Sequence, residues 1–307
     1  MKNLTFKAPV LMLLLFGSVL YGQTEETVKA GEVPAAVQDT VATVQDTGND
    51  SNLRDVPWYV ERFRVSAGFY EMINNTTISI EGTSGRGTDV DFERDLGFDK
   101  KNSTFLGEFE WRSSSRSRFN LSYFNSRRNT SKTIDRELTI GDETYPINSD
   151  LRTEIETNFF RFSYGYAIFS KPKYEAGLLI GTHTITTKIG IEFRGETAEI
   201  EKNRKYDAVA PLVDFGIWGG YAFTDRFALR AELNYFQLKI DNFDGKTFGY
   251  NLAAVYRVWK KLDVALGYAG LDLNVNFDEN NADYDIDWGH NGLMLFVSYS
   301  FGNKKWR

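Results

Sequence analysis

Between Trp58 and Phe301 the chain alternates apolar and polar residues with a period of two, over segments longer than most strands of soluble domains. Residues 103–124, STFLGEFEWRSSSRSRFNLSYF, show the rule. Phe105, Phe109, Trp111, Phe119, Leu121 and Tyr123 take one parity, and Glu108, Glu110, Arg112 and Arg118 the other. Successive strand side chains point to opposite faces, so each segment has one apolar wall and one charged wall. Ten such strands are predicted: 58–72, 103–112, 117–140, 150–169, 174–193, 207–223, 227–241, 247–259, 262–277 and 287–301. No segment holds a 3.6-residue period, so the fold class is all-β.

The connections differ at the two ends. SSSRS (113–117), SKPK (170–173), TDR (224–226) and KK (260–261) are short and polar. The alternate set, 73–102, 141–149, 194–206 and 278–286, is long and hydrophilic, with NFDGK (242–246) its one short member. Short turns at one end and long loops at the other mark a transmembrane antiparallel up-and-down β-barrel with its short turns in the periplasm. The strand pattern allows eight to twelve strands, with about ten the best count.

Residue type decides which wall faces lipid. The apolar wall carries too much aromatic bulk for a small lumen and suits the hydrocarbon. Rings collect beside the short turns: Trp111, Tyr166, Phe169, Tyr174, Tyr221, Phe223, Phe227, Tyr256, Trp259, Tyr299 and Phe301. Amphipathic rings settle at headgroup level, so these form the expected periplasmic girdle. The opposite wall carries Arg62, Arg64, Glu108, Glu110, Arg112, Arg118, Arg161, Glu175, Asp214, Arg230, Glu232, Arg257 and Asp263, which is seven arginines against six carboxylates and no lysine. Arginine pairs carboxylates through a planar fork in dehydrated space, so the set predicts a narrow lumen crossed by ion pairs.

The N-terminus has a positive start (Lys2, Lys7) and an apolar run, VLMLLLFGSVL (10–20), before a small residue at Gly22. The run is too short to span a bilayer and reads as a secretory signal peptide over 1–22. Residues 23–57 lack Phe, Trp and Tyr and hold seven acids against Lys29 and Arg54. They are expected to be a disordered acidic periplasmic arm, leaving 58–301 as the barrel and 302–307 as a tail. The chain has no cysteine, which excludes disulfide scaffolds and thiolate metal sites, and its net charge of −6 gives no basic surface for nucleic acid.

With these features the chain resembles the bacterial outer-membrane β-barrel proteins, of the small porin-like or OmpA-like kind. Asn291-Gly292-Leu293-Met294-Leu295-Phe296-Val297-Ser298-Tyr299-Ser300-Phe301 is similar to the family's terminal assembly signal, although GNKKWR follows it here. VDFERDLGFD (90–99) is similar to an acidic motif of uncharacterised porin-like barrels. The resemblance implies a Gram-negative outer membrane, with lipid, lipopolysaccharide and the barrel-assembly machinery as partners, and long loops outside.

Chemistry is thin. His183, in GTHTITT, is expected on a strand and His290, in DWGHNG, at the loop end of the last one. Neither has a Ser two residues on or an adjoining Asp, so both read as structural and no catalytic residue is assigned. Asp278, Asp283 and Asp285 in DENNADYDID could offer oxygens to Ca²⁺, but the loop lacks the EF-hand glycine and closing Glu and reads as solvated. Arg127, Arg128 and Lys132 could meet lipopolysaccharide phosphates or form a solvated rim. On strand 150–169, Arg152, Glu154, Glu156 and Asn158 share a parity with Phe160, Phe162 and Tyr164. Either a bulge intervenes near Thr157 or the strand leaves the membrane as a hydrophilic collar, and the second is preferred. The expected function is a monomeric structural or surface-binding barrel without cofactors. The alternatives are a porin-like channel and, less favoured, a lipid- or peptide-processing enzyme.

Overall fold

A computed structural model describes residues 56–81, 87–140, 143–194, 201–279 and 282–302. The expected signal peptide, arm and tail lie outside these, apart from Val56, Pro57 and Gly302. Ten long antiparallel strands form one ring: β1 (Phe63–Glu81), β3 (Lys101–Arg112), β4 (Ser117–Thr133), β7 (Asp150–Ser170), β8 (Tyr174–Arg194), β9 (Glu201–Ala222), β10 (Phe227–Ile240), β11 (Phe243–Trp259), β12 (Leu262–Glu279) and β13 (Ala282–Phe301). Short strands β2 (Val90–Asp91), β5 (Leu138–Ile140) and β6 (Glu143–Tyr145) sit in the connections above β1 and β4. Pairing of β13 with β1, from Phe63↔Phe301 to Glu81↔Asp283, closes the ring.

The register fixes the strand tilt. Phe63 leads through Trp111, Phe119, Tyr164, Ile180, Phe215, Tyr235, Phe248 and Asp272 to Gly289. Phe63 itself pairs with Phe301, so one circuit displaces the register by 301 − 289, or 12 residues. With ten strands, that stagger corresponds to a tilt of roughly 40°, as for other closed barrels.

Several boundaries differ from the sequence expectation. Residues 58–62 are not strand; they turn under the barrel, and β1 starts at Phe63 and runs on to Glu81. The predicted 117–140 strand ends at Thr133, and Leu138–Ile140 joins a separate hairpin with β6. Most of 278–286 is strand, because β12 and β13 stay paired up to Glu279↔Ala282. Polar alternation in these stretches resembles a loop in sequence, but a strand above the bilayer needs no apolar outer face.

That point resolves the phase question on β7. No bulge occurs near Thr157; its register with β4 is continuous there. The same outer face carries exposed Arg152 and Glu154 above and exposed Phe160, Phe162 and Tyr166 below. Inside, Leu151, Ile155 and Phe159 are buried. Strand β13 repeats the change, with Asp283, Asp285 and Asp287 outward above Leu293, Leu295, Val297 and Tyr299. The lower half therefore has the polarity of a membrane barrel and the upper half that of a soluble one. On β1 the outer face is apolar at Phe63, Val65, Ala67, Phe69 and Ile73, interrupted by exposed Glu71 beside Leu293 of β13.

The upper half has its own core. Val90, Phe92, Leu96 and Phe98 from the first long connection pack with Ile134, Leu138 and Tyr145 from the second, and with Leu151, Ile155, Ile191 and Phe193 of β7 and β8. Arg128 clamps the first connection to β4: its Nη2 lies 2.5 Å from Glu93 Oε1, and its guanidinium covers Phe98. Arg136 Nη2 pairs with Asp95 Oδ2 at 2.5 Å. Together they make a cap over the β1–β8 side of the mouth.

Candidate functional site

On the inner side of the ring arginines and carboxylates join in three ion-pair chains, two reaching across the lumen and one running along the β11–β12–β13–β1 wall. In the first, Arg112 on β3 holds Glu175 on β8 by two hydrogen bonds, Nη1 to Oε2 at 2.8 Å and Nη2 to Oε1 at 2.7 Å. Arg112 Nε also donates to Glu110 Oε1 at 3.3 Å, and Arg230 on β10 donates to Glu110 Oε2 at 2.7 Å. In the second, Glu232 accepts from Arg118 and Arg161 at 2.8 Å each, Arg161 Nε reaches Asp214 Oδ2 at 3.4 Å, and His183 Nδ1 lies 3.0 Å from the same oxygen. In the third, Asp263 receives Arg257 Nε at 2.8 Å and Arg64 Nη2 at 3.7 Å, while Arg257 Nη2 also meets Glu61 Oε1 at 3.4 Å. Glu108 accepts a 2.8 Å hydrogen bond from Asn120. Arg62 lies in the bend before β1, and its carbonyl accepts from the Arg112 N–H.

Arg112, Glu110, Glu175, Asp214 and Asp263 are almost wholly buried. Buried charges persist only when paired and hydrogen-bonded, which explains why arginine, with its five-donor fork, supplies every cation. Trp218 on β9 points inward and binds the first two chains together. Its ring receives the Arg118 guanidinium at 3.8 Å and that of Arg112 at 5.5 Å. Gly165 makes this stack possible, because a Cβ there would meet Arg118 Nε at 2.8 Å and Trp218 Nε1 at 2.9 Å.

Residues 56–62 close the short-turn end of the barrel. Val56, Tyr59 and Val60 are buried against Ala222 and Ala228. Trp58 Nε1 donates to the Thr224 carbonyl in the β9–β10 turn at 2.8 Å, and Arg257 stacks on its ring at 4.4 Å. Arg64 donates to the Tyr59 carbonyl. Tyr59 lies on Gly220, where any Cβ would come within 2.5 Å of its hydroxyl. Sequence parity alone read Trp58 as a strand residue; its role as the seal depends on the barrel rim it meets.

Above the ion pairs lies an apolar layer that the sequence reading missed. Phe159 stacks on Phe124 at 4.3 Å and on Trp288 at 5.0 Å between centroids, with Ile185, Leu271 and Leu273 packed against them. Its signal was inward apolar residues of polar parity on the upper half-strands. His290 is not at a loop end; it sits mid-β13, buried in a box of Tyr70, Phe124, Phe159 and Trp288 rings. His183 does point into the lumen.

Of the eleven rings expected beside the short turns, ten, Trp111, Tyr166, Phe169, Tyr174, Tyr221, Phe223, Tyr256, Trp259, Tyr299 and Phe301, face outward and are exposed, Trp259 the most at 74%, while Phe227 is half-buried. The candidate lipopolysaccharide cations divide differently. Arg128 points inward to Glu93, Lys132 Nζ donates to the Arg94 carbonyl, and exposed Arg127 pairs with Glu154 and Glu156. They do not form one basic patch. Asp278 and Asp283 oppose each other on the outer face, with Asp285 further down β13. Among the described residues, no group of three or more His, Asp or Glu side chains converges to hold a metal ion.

No protein-family model and no curated protein sequence matches the chain. Solved structures do. The outer membrane protease OmpT from Escherichia coli aligns with 78% of this chain and 96% of its own, at 13% identity and a TM-score of 0.51. Ail, the attachment invasion locus protein of Yersinia pestis, covers 79% of this chain and 100% of its own at 10% identity and a TM-score of 0.31. The outer membrane protein OprG from Pseudomonas aeruginosa covers 79% and 97% at 11% identity and a TM-score of 0.33. The likeness to OmpT is one of fold: this chain has the antiparallel barrel of the bacterial outer-membrane proteins.

Proposed function

We propose that the protein is a closed outer-membrane barrel, structural or surface-binding, which presents its cap and collar to the exterior. The observation that carries this reading is the lumen: three ion-pair chains, two of them reaching across it, lie between the 56–62 seal and the Phe124–Phe159–Trp288 layer. A conducting pore needs a continuous wet path, and the seal, the paired charges and the aromatic layer obstruct one at successive heights. Residues 1–22 then act as the export signal and 23–57 as a periplasmic arm. Lipid and lipopolysaccharide surround a monomer that the barrel-assembly machinery inserts.

An enzymatic role has less support. His183 and Asp214 are placed like a base and its orienting acid. Arg161 shares Asp214, and the pair lies inside the lumen beneath an aromatic layer rather than in an open cleft. That OmpT is a protease is a property of OmpT.

Planar-bilayer recording of the purified barrel tests the proposal. Silence at moderate voltage is expected. A steady open conductance would replace the closed-barrel reading with the porin-like one.

A further inference from the structure

We propose that the lumen holds a binding chamber for a small, neutral, amphipathic molecule, with a single hydroxylated aromatic ring the class that fits. A cavity of about 220 Å³ lies between the ion-pair chains and the aromatic layer. It exists because β11 and β12 turn small residues inward, Gly249, Ala253, Ala265, Gly267 and Ala269, where other strands place Arg, Glu or Phe. At roughly 30 Å³ per molecule it has room for several waters, or for one ring.

Its walls differ in kind. Leu106, Val255, Met294 and Phe296 give one apolar side. Arg118, Arg161, Glu232 and Asn234 give the other. The guanidiniums that line the chamber are already matched, Arg118 and Arg161 against Glu232 and Asp214, Arg230 against Glu110 and Arg64 against Asp263, so a charged ligand would disturb a balanced set. A neutral ligand would not.

Besides His183 Nδ1, which lies against Asp214, two buried polar atoms of chamber-lining residues have no hydrogen-bond partner among the described residues, Asn234 Oδ1 and His290 Nδ1. They are 8% and 6% exposed as residues, which puts both at nine-tenths buried or more. Buried polar groups in folded proteins are nearly always satisfied, so each calls for an occupant. Asn234 Nδ2 is engaged with Glu232, and its free oxygen can only accept. The occupant must therefore bring a donor, and a hydroxyl serves. The ring box around His290, at centroid distances of 4.9–5.7 Å, supplies an aromatic surface at the same end. The proposal does not depend on whether the barrel excludes ions.

The test uses the full chain folded in detergent micelles, with 4-fluorophenol as probe in ¹⁹F saturation-transfer experiments and 4-bromophenol in crystal soaks. Two filling variants, Ala253→Leu and Ala269→Leu, occupy the space without removing a charge, and heat-modifiable migration reports whether each folds. A bromine peak in the chamber and at least tenfold weaker fluorophenol binding in a folded filling variant are expected. Asn234→Leu should abolish the preference for fluorophenol over fluorobenzene. Ordered water as the sole occupant, or equal binding in wild type and folded filling variants, would overturn the assignment, and the second result would identify the signal as micelle partitioning. If neither filling variant folds, the absence of a bromine peak in wild type has the same force.

Discussion

Arg112 and Glu175, 63 residues apart in sequence, clasp one another across the lumen through two parallel hydrogen bonds of 2.8 and 2.7 Å. They sit on β3 and β8, which are not neighbours in the ring. The pair braces two separated stretches of wall, and Arg230 on β10, bonded to Glu110 at 2.7 Å, carries the chain to the strand opposite β3.

Losing one partner leaves the other buried and uncompensated. Glu175→Leu should destabilise the barrel by about 3–5 kcal/mol. The double variant Arg112→Leu with Glu175→Leu should recover part of that loss, less what Glu110 loses when Arg112 goes. Urea unfolding in lipid vesicles, followed by heat-modifiable migration, measures both. Equal stability of wild type and Glu175→Leu would show that the lumen is wet enough to solvate Arg112.

The seal makes a separate claim. Trp58 holds the β9–β10 turn and stacks with Arg257. Deleting residues 56–61 should make a silent barrel pass ions, or at least flicker, in planar bilayers. Continued silence in a folded deletion variant would place the barrier in the ion pairs and the aromatic layer alone.

Position on the outer face should set the cost of a charge. Leu295→Arg lies in the apolar band and should cost about 2–4 kcal/mol. Asn129→Arg lies on the collar of β4 and should fall within about 0.5 kcal/mol of wild type. Comparable costs at the two positions would refute the assigned bilayer edge.

Acid should loosen the cap. Burial pushes the Asp95 carboxyl up, but hydrogen bonds from Arg94, Arg136 and the Asp91 N–H outweigh it and hold its pKa below the usual aspartate range. A depressed carboxyl pKa gives stability that is fully present above the unfolded value, about 3.9, and is lost as pH falls through the folded one. Hydrogen exchange of the Val90–Asp99 amides should therefore stay slow from neutral pH to about pH 4 and quicken only below it, once the intrinsic pH dependence of exchange is divided out. Arg136→Ala should raise the exchange rate already at neutral pH. An unchanged rate in that variant would mean the apolar core alone holds the cap.

Much of this was legible in sequence, and the reason is geometric. Period-two alternation assigns each side chain to a wall without knowledge of its neighbours, so Glu110, Arg118 and Glu232 could be placed in the lumen from parity alone. Partner choice could not, because β3 meets β8 only after the ring closes with its 12-residue stagger. Trp218 escaped notice because one inward aromatic among glycines looks like wall filling. The upper half-strands were misread for a different reason. Above the bilayer the outward residues are polar, as in a loop, and the inward ones apolar, so the signal inverts while its period is unchanged. Phe159 and Trp288 share the parity of Arg161 and Ser298 on their strands, and only the height at which they sit separates core from ion pair.

The change from Asn158 to Phe160 on β7, and from Asn291 to Leu293 on β13, works as a depth gauge. One residue pair along a strand is about 6.6 Å, less along the membrane normal once the tilt is counted. Sinking the barrel by that step would drag Asn158 and Asn291 into hydrocarbon, and lifting it would strand Phe160 and Leu293 in water. Hydrophobic mismatch then tunes the barrel to one bilayer thickness, and a thicker membrane must thin locally around it.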